Sequence, residues 1–325
     1  MRILVTGAAG MLASALVPHL RACGHEVVAT DLVGPLEGAG GELIEHLDVR
    51  EADEVEARIS TGAFELVLHL AAETELEACE RDPVHAWRTN AFGTKLVALA
   101  CRRAGSRLAY VSTAGVFDGE KESPYDEFDE PRPINRYGAS KLAGERFVQQ
   151  YVTESFVVRA GWMVGGGPKD HKFVAKILRQ LEEGATTLYA VGDKLGTPTY
   201  APDFSRCLEA LVTSDAFGLY HMSCEGTCSR YDVTQAILEL LGRDDVTLVQ
   251  VGSEFFAEEY FAPRPRSEAM RNLMLELHGL NTMRSWQAAL GEYLAEEFAL
   301  AARSRPAPAP CGETVADPTP EELPA

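Results

Sequence analysis

The stretch Val5-Thr6-Gly7-Ala8-Ala9-Gly10-Met11-Leu12-Ala13 constrains the fold more than any other part of the chain. It follows a short β-branched run and opens an amphipathic segment, so its glycines stand between a strand and a helix. There Gly7 permits a tight turn, and Gly10 lets the backbone approach a pyrophosphate at the positive end of the helix dipole, beside Met11 and Leu12. Ala13 replaces the third glycine of the usual pattern, and its methyl group still allows close helix packing. Asp31, ending the second expected strand, can accept hydrogen bonds from both hydroxyls of an adenosine ribose and disfavours a 2′-phosphate. Leu32, Val33 and Gly34 follow it, with no Arg or Lys. These residues point to a dinucleotide site that prefers NAD(H), with NADP(H) left open. An ordinary glycine turn and a surface aspartate are the plainer readings.

Short β-branched runs at Arg2 to Val5, Glu26 to Ala29, Leu43 to His46, Leu66 to Leu70, Leu108 to Ser112 and Phe156 to Arg159 alternate with helical segments. Alternation of this kind builds βαβ units. The expected fold is therefore α/β, a Rossmann-type doubly wound parallel sheet with a smaller C-terminal substrate-binding lobe. Later elements are a helix from Phe173 to Glu183, a strand near Leu188 to Val191, a Gly/Pro/Thr-rich loop from Gly196 to Pro202, and helices over Tyr231 to Leu241 and Met283 to Ala299. The expected division is a nucleotide-binding domain over 1–160 with part of 197–225 packing back on it, a substrate lobe over 161–300, and a disordered Pro/Ala/Glu-rich tail over 304–325.

With 325 residues, 46% of them hydrophobic, the chain can bury such a core. Its formal net charge of -19 would repel a polyanionic backbone, which argues against nucleic acid as a partner. A pyrophosphate escapes that objection because local N–H groups hold it. Cys23, Cys79, Cys101, Cys207, Cys224, Cys228 and Cys311 are scattered, odd in number and without CxxC spacing, and read as reduced thiols; Cys224 and Cys228 come closest to a pair, with a metal or disulfide role the minor reading, and no metal is expected. No apolar run reaches membrane-spanning length and no signal region precedes Ile3-Leu4-Val5, so the expected location is cytoplasmic, away from membranes.

Tyr137-Gly138-Ala139-Ser140-Lys141 places a phenol and an ammonium four residues apart on one face of a helix. Reduction of a carbonyl by hydride needs a proton for the developing alkoxide, and a tyrosine with a pKa of about 10 is a weak acid unless a nearby cation eases its ionisation. Lys141 is the expected cation. The same spacing also describes a solvated helix face, so its weight comes from Ser112-Thr113 at the end of a strand, where open α/β sheets bind ligands. Thr113 is expected to hydrogen-bond the carbonyl oxygen with Ser112 beside it, against the plainer reading of hydroxyls capping a turn. Leu70, Ala71 and Ala72 end another strand with small side chains that let a cofactor lie close to the backbone. His69 reads as a packed structural histidine, because no orienting carboxylate stands at a recognisable spacing.

The segments Ser112-Thr113 through Val116-Phe117-Asp118-Gly119, Pro124-Tyr125 with Glu127, and Tyr137-Gly138 through Lys141-Leu142-Ala143-Gly144-Glu145 resemble the dTDP-4-dehydrorhamnose reductase family of extended short-chain dehydrogenases. The resemblance continues through Gly196-Thr197-Pro198-Thr199-Tyr200-Ala201-Pro202-Asp203, Gly218-Leu219-Tyr220-His221 and Arg264-Pro265, and spans roughly Met1 to Leu300. It implies reduction of the C4 ketone of a dTDP-linked 6-deoxyhexulose, with Thr113, Tyr137 and Lys141 as the catalytic set and Tyr137 as proton donor. It also implies that Thr74 sits at the sugar, that Trp162 walls in the substrate, that Asp48 and Val49 contact adenine, and that the assembly is a homodimer.

Two departures stand out. The family usually reads Ser-Thr-Asp-Tyr-Val-Phe, whereas Ala114 and Gly115 stand here in place of the Asp and Tyr beside the sugar. Lys172 stands where the family commonly has Asn, and suits either a substrate diphosphate or a solvated helix start. The leading expectation is a nucleotide-sugar 4-keto reductase. A same-fold oxidoreductase or epimerase acting on another ketone remains an alternative, as does a non-catalytic regulatory subunit resembling that of methionine adenosyltransferase.

Overall fold

Hydrophobic side chains point alternately to the two faces of each central strand, and both faces need a cover of helices. In chain order the strands of the computed structural model are β1 (Arg2–Thr6), β2 (Glu26–Asp31), β3 (Leu36–Glu37), β4 (Leu43–His46), β5 (Leu66–His69), β6 (Arg107–Thr113) and β7 (Ser155–Ala160). They are followed by β8 (Trp162–Val164), β9 (Thr187–Val191), β10 (Leu195–Gly196), β11 (Pro198–Tyr200), β12 (Gly218–Met222), β13 (Cys228–Ser229) and β14 (Thr247–Val251). The helices are α1 (Met11–Ala22), α2 (Ala52–Gly62), α3 (Leu76–Arg81), α4 (Pro83–Ala86), α5 (Thr94–Ala104), α6 (Arg136–Tyr151), α7 (Phe173–Glu182), α8 (Ala201–Val212), α9 (Arg230–Leu241), α10 (Leu273–Leu277) and α11 (Trp286–Tyr293). The structure describes residues 1–38, 41 and 43–298.

One sheet runs in the order β12-β7-β6-β5-β1-β2-β4-β3, parallel throughout except for β3. Ile3, Val5, Leu66, Leu68, Phe156 and Val158 pack on one face against Leu16 and Leu20 of α1 and Phe204 and Leu208 of α8. Leu4, Val67, Tyr110 and Val157 pack on the other, against Val55 and Ile59 of α2, Val97 of α5 and Val148 of α6. This is the doubly wound arrangement expected from the alternating runs. The chain travels outward from β1 through β2 and β4, then returns to β5 on the opposite side. Strand order therefore reverses between β1 and β5, and a crevice opens there at the carboxyl ends of the strands.

Beyond β7 the chain builds smaller pieces: β8 with β11, β9 with β14 and β10 with β13. The stretch from Gly196 to Pro202, expected as a loop, instead contains β11 and the start of α8, with β11 paired to β8. The last helix starts at Trp286 rather than Met283, because the Ser285 side chain accepts the Ala288 N–H and caps it there. It runs on as a π-helical turn over Leu294–Phe298. A second π-helical turn, Trp87–Gly93, joins α4 to α5 and has no counterpart in the periodicity of the sequence. The tail over 304–325 lies outside the described residues. Among the described residues, no helix is long and apolar enough to cross a membrane.

Gly7 lies at the reversal point with φ +74°, and a Cβ there would stand 2.6 Å from the backbone nitrogen of Ala71. Gly7→Ala should therefore lower the unfolding free energy, by about 1–3 kcal/mol for the backbone conformation alone and more for the clash, and shift the unfolding midpoint down. Denaturant unfolding checks this, and an unchanged midpoint would contradict it.

Candidate active site

The crevice is a cleft of about 1410 Å³. Gly10 caps α1 without any side-chain hydrogen bond, and no acidic residue occupies the first turn, so the leading N–H groups of Met11 and Leu12 face the cleft unneutralised. Asp31 closes this end, one carboxylate oxygen accepting the Ala9 N–H at 3.0 Å and the other the Val33 N–H at 3.2 Å. The acid thus braces the glycine loop as well as lining the cleft. Asp48 and Val49 line the same end, and Arg50 lowers the pKa of the Asp48 carboxylate through hydrogen bonds of 2.8 and 2.6 Å, against the opposing effect of burial. Thr89, not foreseen from the sequence, also borders the cleft, and its hydroxyl oxygen is buried with no partner among the described residues. An uncapped helix start, a ribose-sized acid and an unpartnered hydroxyl together fit a dinucleotide.

Leu70, Ala71 and Ala72 line the next part of the cleft, facing Ser112, Thr113, Tyr137 and Lys141. Helix α6 starts where Asn135 accepts the Gly138 N–H at 2.7 Å, and it presses so close that a Cβ on Gly138 would lie 2.0 Å from the Gly115 carbonyl oxygen. Thr113 Oγ1 accepts the Gly115 N–H at 3.1 Å, and its hydroxyl also lies within hydrogen-bonding reach of the Tyr137 hydroxyl. Lys141 donates to the Val111 carbonyl at 2.8 Å, and its ammonium lies 4.2 Å from the centre of the Tyr110 ring.

The electrostatics differ from the sequence expectation of a phenol acidified by Lys141. Burial pushes the Tyr137 hydroxyl well above its ordinary 10.0, and the Thr113 hydroxyl draws it only partly back. Burial likewise drives Lys141 from 10.5 down to about 7, against an opposing pull from Glu145. Desolvation outweighs the neighbouring charge in both groups. Tyr137 consequently keeps its proton across the neutral range, the state a proton donor needs.

Several positioning residues were not legible in the sequence. Ser112 does not turn its hydroxyl to the cleft; it donates to Glu145 at 2.5 Å. Glu145 in turn is paired with Arg159 at 2.9 and 2.7 Å, and Arg159 reaches His221 at 3.4 Å, all within the core. Asn90, in the π-helical turn, takes the Glu73 N–H at 2.8 Å and gives its amide protons to the Glu73 carbonyl and to Ser140 Oγ, both at 3.0 Å. It thereby ties the loop carrying Thr74 to α6. His69 is buried between Thr6 at 2.7 Å and Thr94 at 3.0 Å, and its pKa is driven down to about 3 by burial and Lys141, so it is a neutral packing group.

At the other end of the cleft, Lys172 Nζ lies 3.5 Å from Thr74 Oγ1, bringing together two residues expected at the substrate. Trp162 lines the wall, its indole N–H donating to Glu268 at 2.8 Å. Ala114 and Gly115, the two residues that depart from the family's Asp and Tyr, are placed differently. A 3₁₀ turn over Ala114–Val116 buries Ala114 among Val116, Phe117, Tyr125, Leu142 and Met270, so Gly115 alone of the two borders the cleft. Away from the cleft, Cys224 and Cys228 are buried free thiols, while His19, Cys23 and Glu209 come close enough to share an ion at the far end of α1.

The chain matches the family described as RmlD substrate binding domain over residues 1–298. It is 34% identical over 305 residues to the dTDP-4-dehydrorhamnose reductase of Mycobacterium tuberculosis, covering 90% of this chain and 92% of that one. Its fold is similar to a dTDP-4-dehydrorhamnose reductase structure from Clostridium acetobutylicum, at TM-score 0.82 and 32% identity, covering 91% of this chain and 99% of the other. The reductase of Bacillus anthracis, solved in complex with NADP, is similar at TM-score 0.81 and 31% identity, with 91% and 99% covered.

Two outcomes test this geometry. Because the folded Lys141 ionises near 7 and an unfolded lysine near 10.5, the unfolded chain binds more protons between those values. Stability of the ligand-free protein should rise with pH across that window through this group. The wild-type-minus-Lys141→Met difference in unfolding free energy, followed from pH 7 to higher pH, should therefore climb; a flat difference would contradict the depressed value. Glu145→Ala strands the Arg159 guanidinium in the core and should cost about 3–5 kcal/mol in denaturant unfolding.

Proposed function

The chain belongs to the dTDP-4-dehydrorhamnose reductase family, and from that membership we propose that it reduces the C4 ketone of a dTDP-linked 6-deoxyhexulose with a nicotinamide cofactor. The observation that carries the reading is that Thr113, Tyr137 and Lys141 border the same cleft as the glycine loop. Residues 1–160, with part of 197–225, hold the dinucleotide, and 161–300 form the sugar-nucleotide lobe. Lys172, Lys176, Lys194, Arg230 and Arg264 line the cleft beside several glutamates; Arg264 is paired with Glu77 and Lys176 lies 3.7 Å from Glu259, which leaves Lys172, Lys194 and Arg230 as the cations suited to a diphosphate.

The cofactor supplies the hydride. The residues supply the rest. Thr113 Oγ1, its lone pair already given to Gly115, donates to the carbonyl oxygen and fixes its position. Tyr137 lies on the first turn of α6, keeps its proton at neutral pH, and releases it to that oxygen as negative charge develops. Lys141, anchored to the Val111 carbonyl one turn further on, offers a cation that stabilises the resulting phenolate. Trp162 excludes water from the reacting face. Asp31 favours NADH over NADPH, since Arg50, a cation at that end of the cleft, is already engaged by Asp48.

Oxidation of NADH followed at 340 nm with dTDP-4-dehydrorhamnose tests the reading. Tyr137→Phe should lower kcat by about 10²–10⁴-fold with little change in cofactor affinity, the range ascribed to a positioned proton donor. Turnover retained in that variant would remove Tyr137 from the role. KM for NADH should lie below that for NADPH, and the reverse order would overturn the assignment to Asp31. Lys172→Ala should raise KM for the dTDP-sugar; an unchanged KM would return Lys172 to a solvated helix start.

A further inference from the structure

The place left open at Gly115 is bordered by a carboxylate from a distant part of the chain. A Cβ on Gly115 would stand 3.4 Å from Thr113 Oγ1 and 3.5 Å from Glu268 Oε1, so both oxygens border one point in the cleft. The two oxygens of Glu268 are used differently. Oε2 accepts the Trp162 indole N–H at 2.8 Å, while Oε1 accepts no hydrogen bond among the described residues. Trp162 itself has little freedom: a Cβ on Gly196 would fall 2.3 Å from its ring, and the Arg230 guanidinium lies 4.8 Å from the ring centre. The carboxylate is thus held in one orientation, with a vacant acceptor aimed beside the hydroxyl that would fix the substrate carbonyl.

Resting on the reading of the site as a 4-keto sugar reductase, we infer that Glu268 is a specificity-determining residue that accepts a hydrogen bond from the substrate's C3 hydroxyl. The chemistry narrows the group. In a 4-keto-6-deoxyhexose, C3 and C5 flank the carbonyl; C5 carries the ring oxygen and the methyl group, so C3 alone offers a donor beside it. The charge environment narrows it further. Burial raises the Glu268 pKa, while Trp162, Arg230, Arg264 and Lys194 oppose that rise. The same three cations disfavour an ammonium substituent, so a neutral hydroxyl fits better than a 3-amino group. An acceptor held in a partly buried place with one lone pair unused penalises any substrate that brings no donor to it.

The test pairs two substrates with two variants: dTDP-4-keto-6-deoxyhexose and its 3-deoxy analogue, with wild type, Glu268→Ala and Glu268→Gln. The wild type should favour the 3-hydroxy substrate by about 10- to 100-fold in kcat/KM, the range of one hydrogen bond to a charged acceptor. Glu268→Gln, which can keep the Trp162 bond, should lose most of that preference because its fall on the 3-hydroxy substrate exceeds its fall on the 3-deoxy one. Glu268→Gln keeps the volume and can keep the Trp162 bond, presenting its NH₂ to the cleft, so it guards against a folding defect in Glu268→Ala. Calorimetry with a dTDP-6-deoxyhexose in the presence of oxidised cofactor gives a second readout. Glu268→Gln should weaken that sugar nucleotide relative to dTDP alone. Turnover and binding in which both variants keep the wild-type preference would overturn the role of Glu268 alone. If the wild type neither reduces nor binds the dTDP-sugars, the proposed function falls and this inference falls with it.

Discussion

The buried pair of Glu145 and Arg159 is the interaction on which the reacting end of the molecule depends. Arg159 belongs to β7 and Glu145 to α6, one turn beyond Lys141, so their contact sets the helix against the sheet. Two charges taken into a protein interior gain only when geometry and further hydrogen bonds are good. Here Ser112 completes the carboxylate from β6, and the Phe117 ring, 5.1 Å from the guanidinium, together with His221 covers the cation. The pair therefore joins β6, β7 and α6, the elements that carry Thr113, Tyr137 and Lys141. It fixes their spacing although neither side chain lines the cleft.

Burial rather than local charge governs the two groups proposed to handle the proton. Tyr137 and Lys141 are both pushed toward their neutral forms by the dry interior. For carbonyl reduction this is favourable on one side, since the phenol stays protonated until an oxyanion develops beside it. On the other side it leaves the lysine poised near neutrality, where small changes in its surroundings decide its charge. Anything filling the cleft alters the solvation of both groups at once. Their balance is thus a property of the filled site more than of the helical spacing that announces it.

What could be read from the sequence was what repeats or what local geometry demands. The β-branched runs foretold the sheet because strands buried on both faces must be apolar throughout, and the glycine loop foretold the crevice because its backbone conformation excludes other residues. The Tyr137 and Lys141 spacing was legible once a helix was expected. Other features depend on contacts between distant residues and leave no such trace. Glu145, Arg159 and His221 look like solvated surface groups when taken singly, and Asn90 acts from a π-helical turn that no period predicts. Ala114 and Gly115 looked alike on paper, yet one turn of 3₁₀ helix sends the first into the core and leaves the second at the cleft. Glu268 could be connected with Gly115 only through space, being more than a hundred residues away.

Strand β12 has a consequence for how such a chain can be divided. It is made after the chain has left the main sheet and built β8 through β11, and it then returns to pair in register with β7, from Gly218 beside Phe156 to Met222 beside Ala160. The first 160 residues are thus not a removable cassette. Cut there, β7 would present a naked row of amide and carbonyl groups, the template on which chains stack into aggregates. Grafting a new C-terminal half onto this scaffold would have to preserve the returning strand, so recombination between relatives is confined to loops on either side of it.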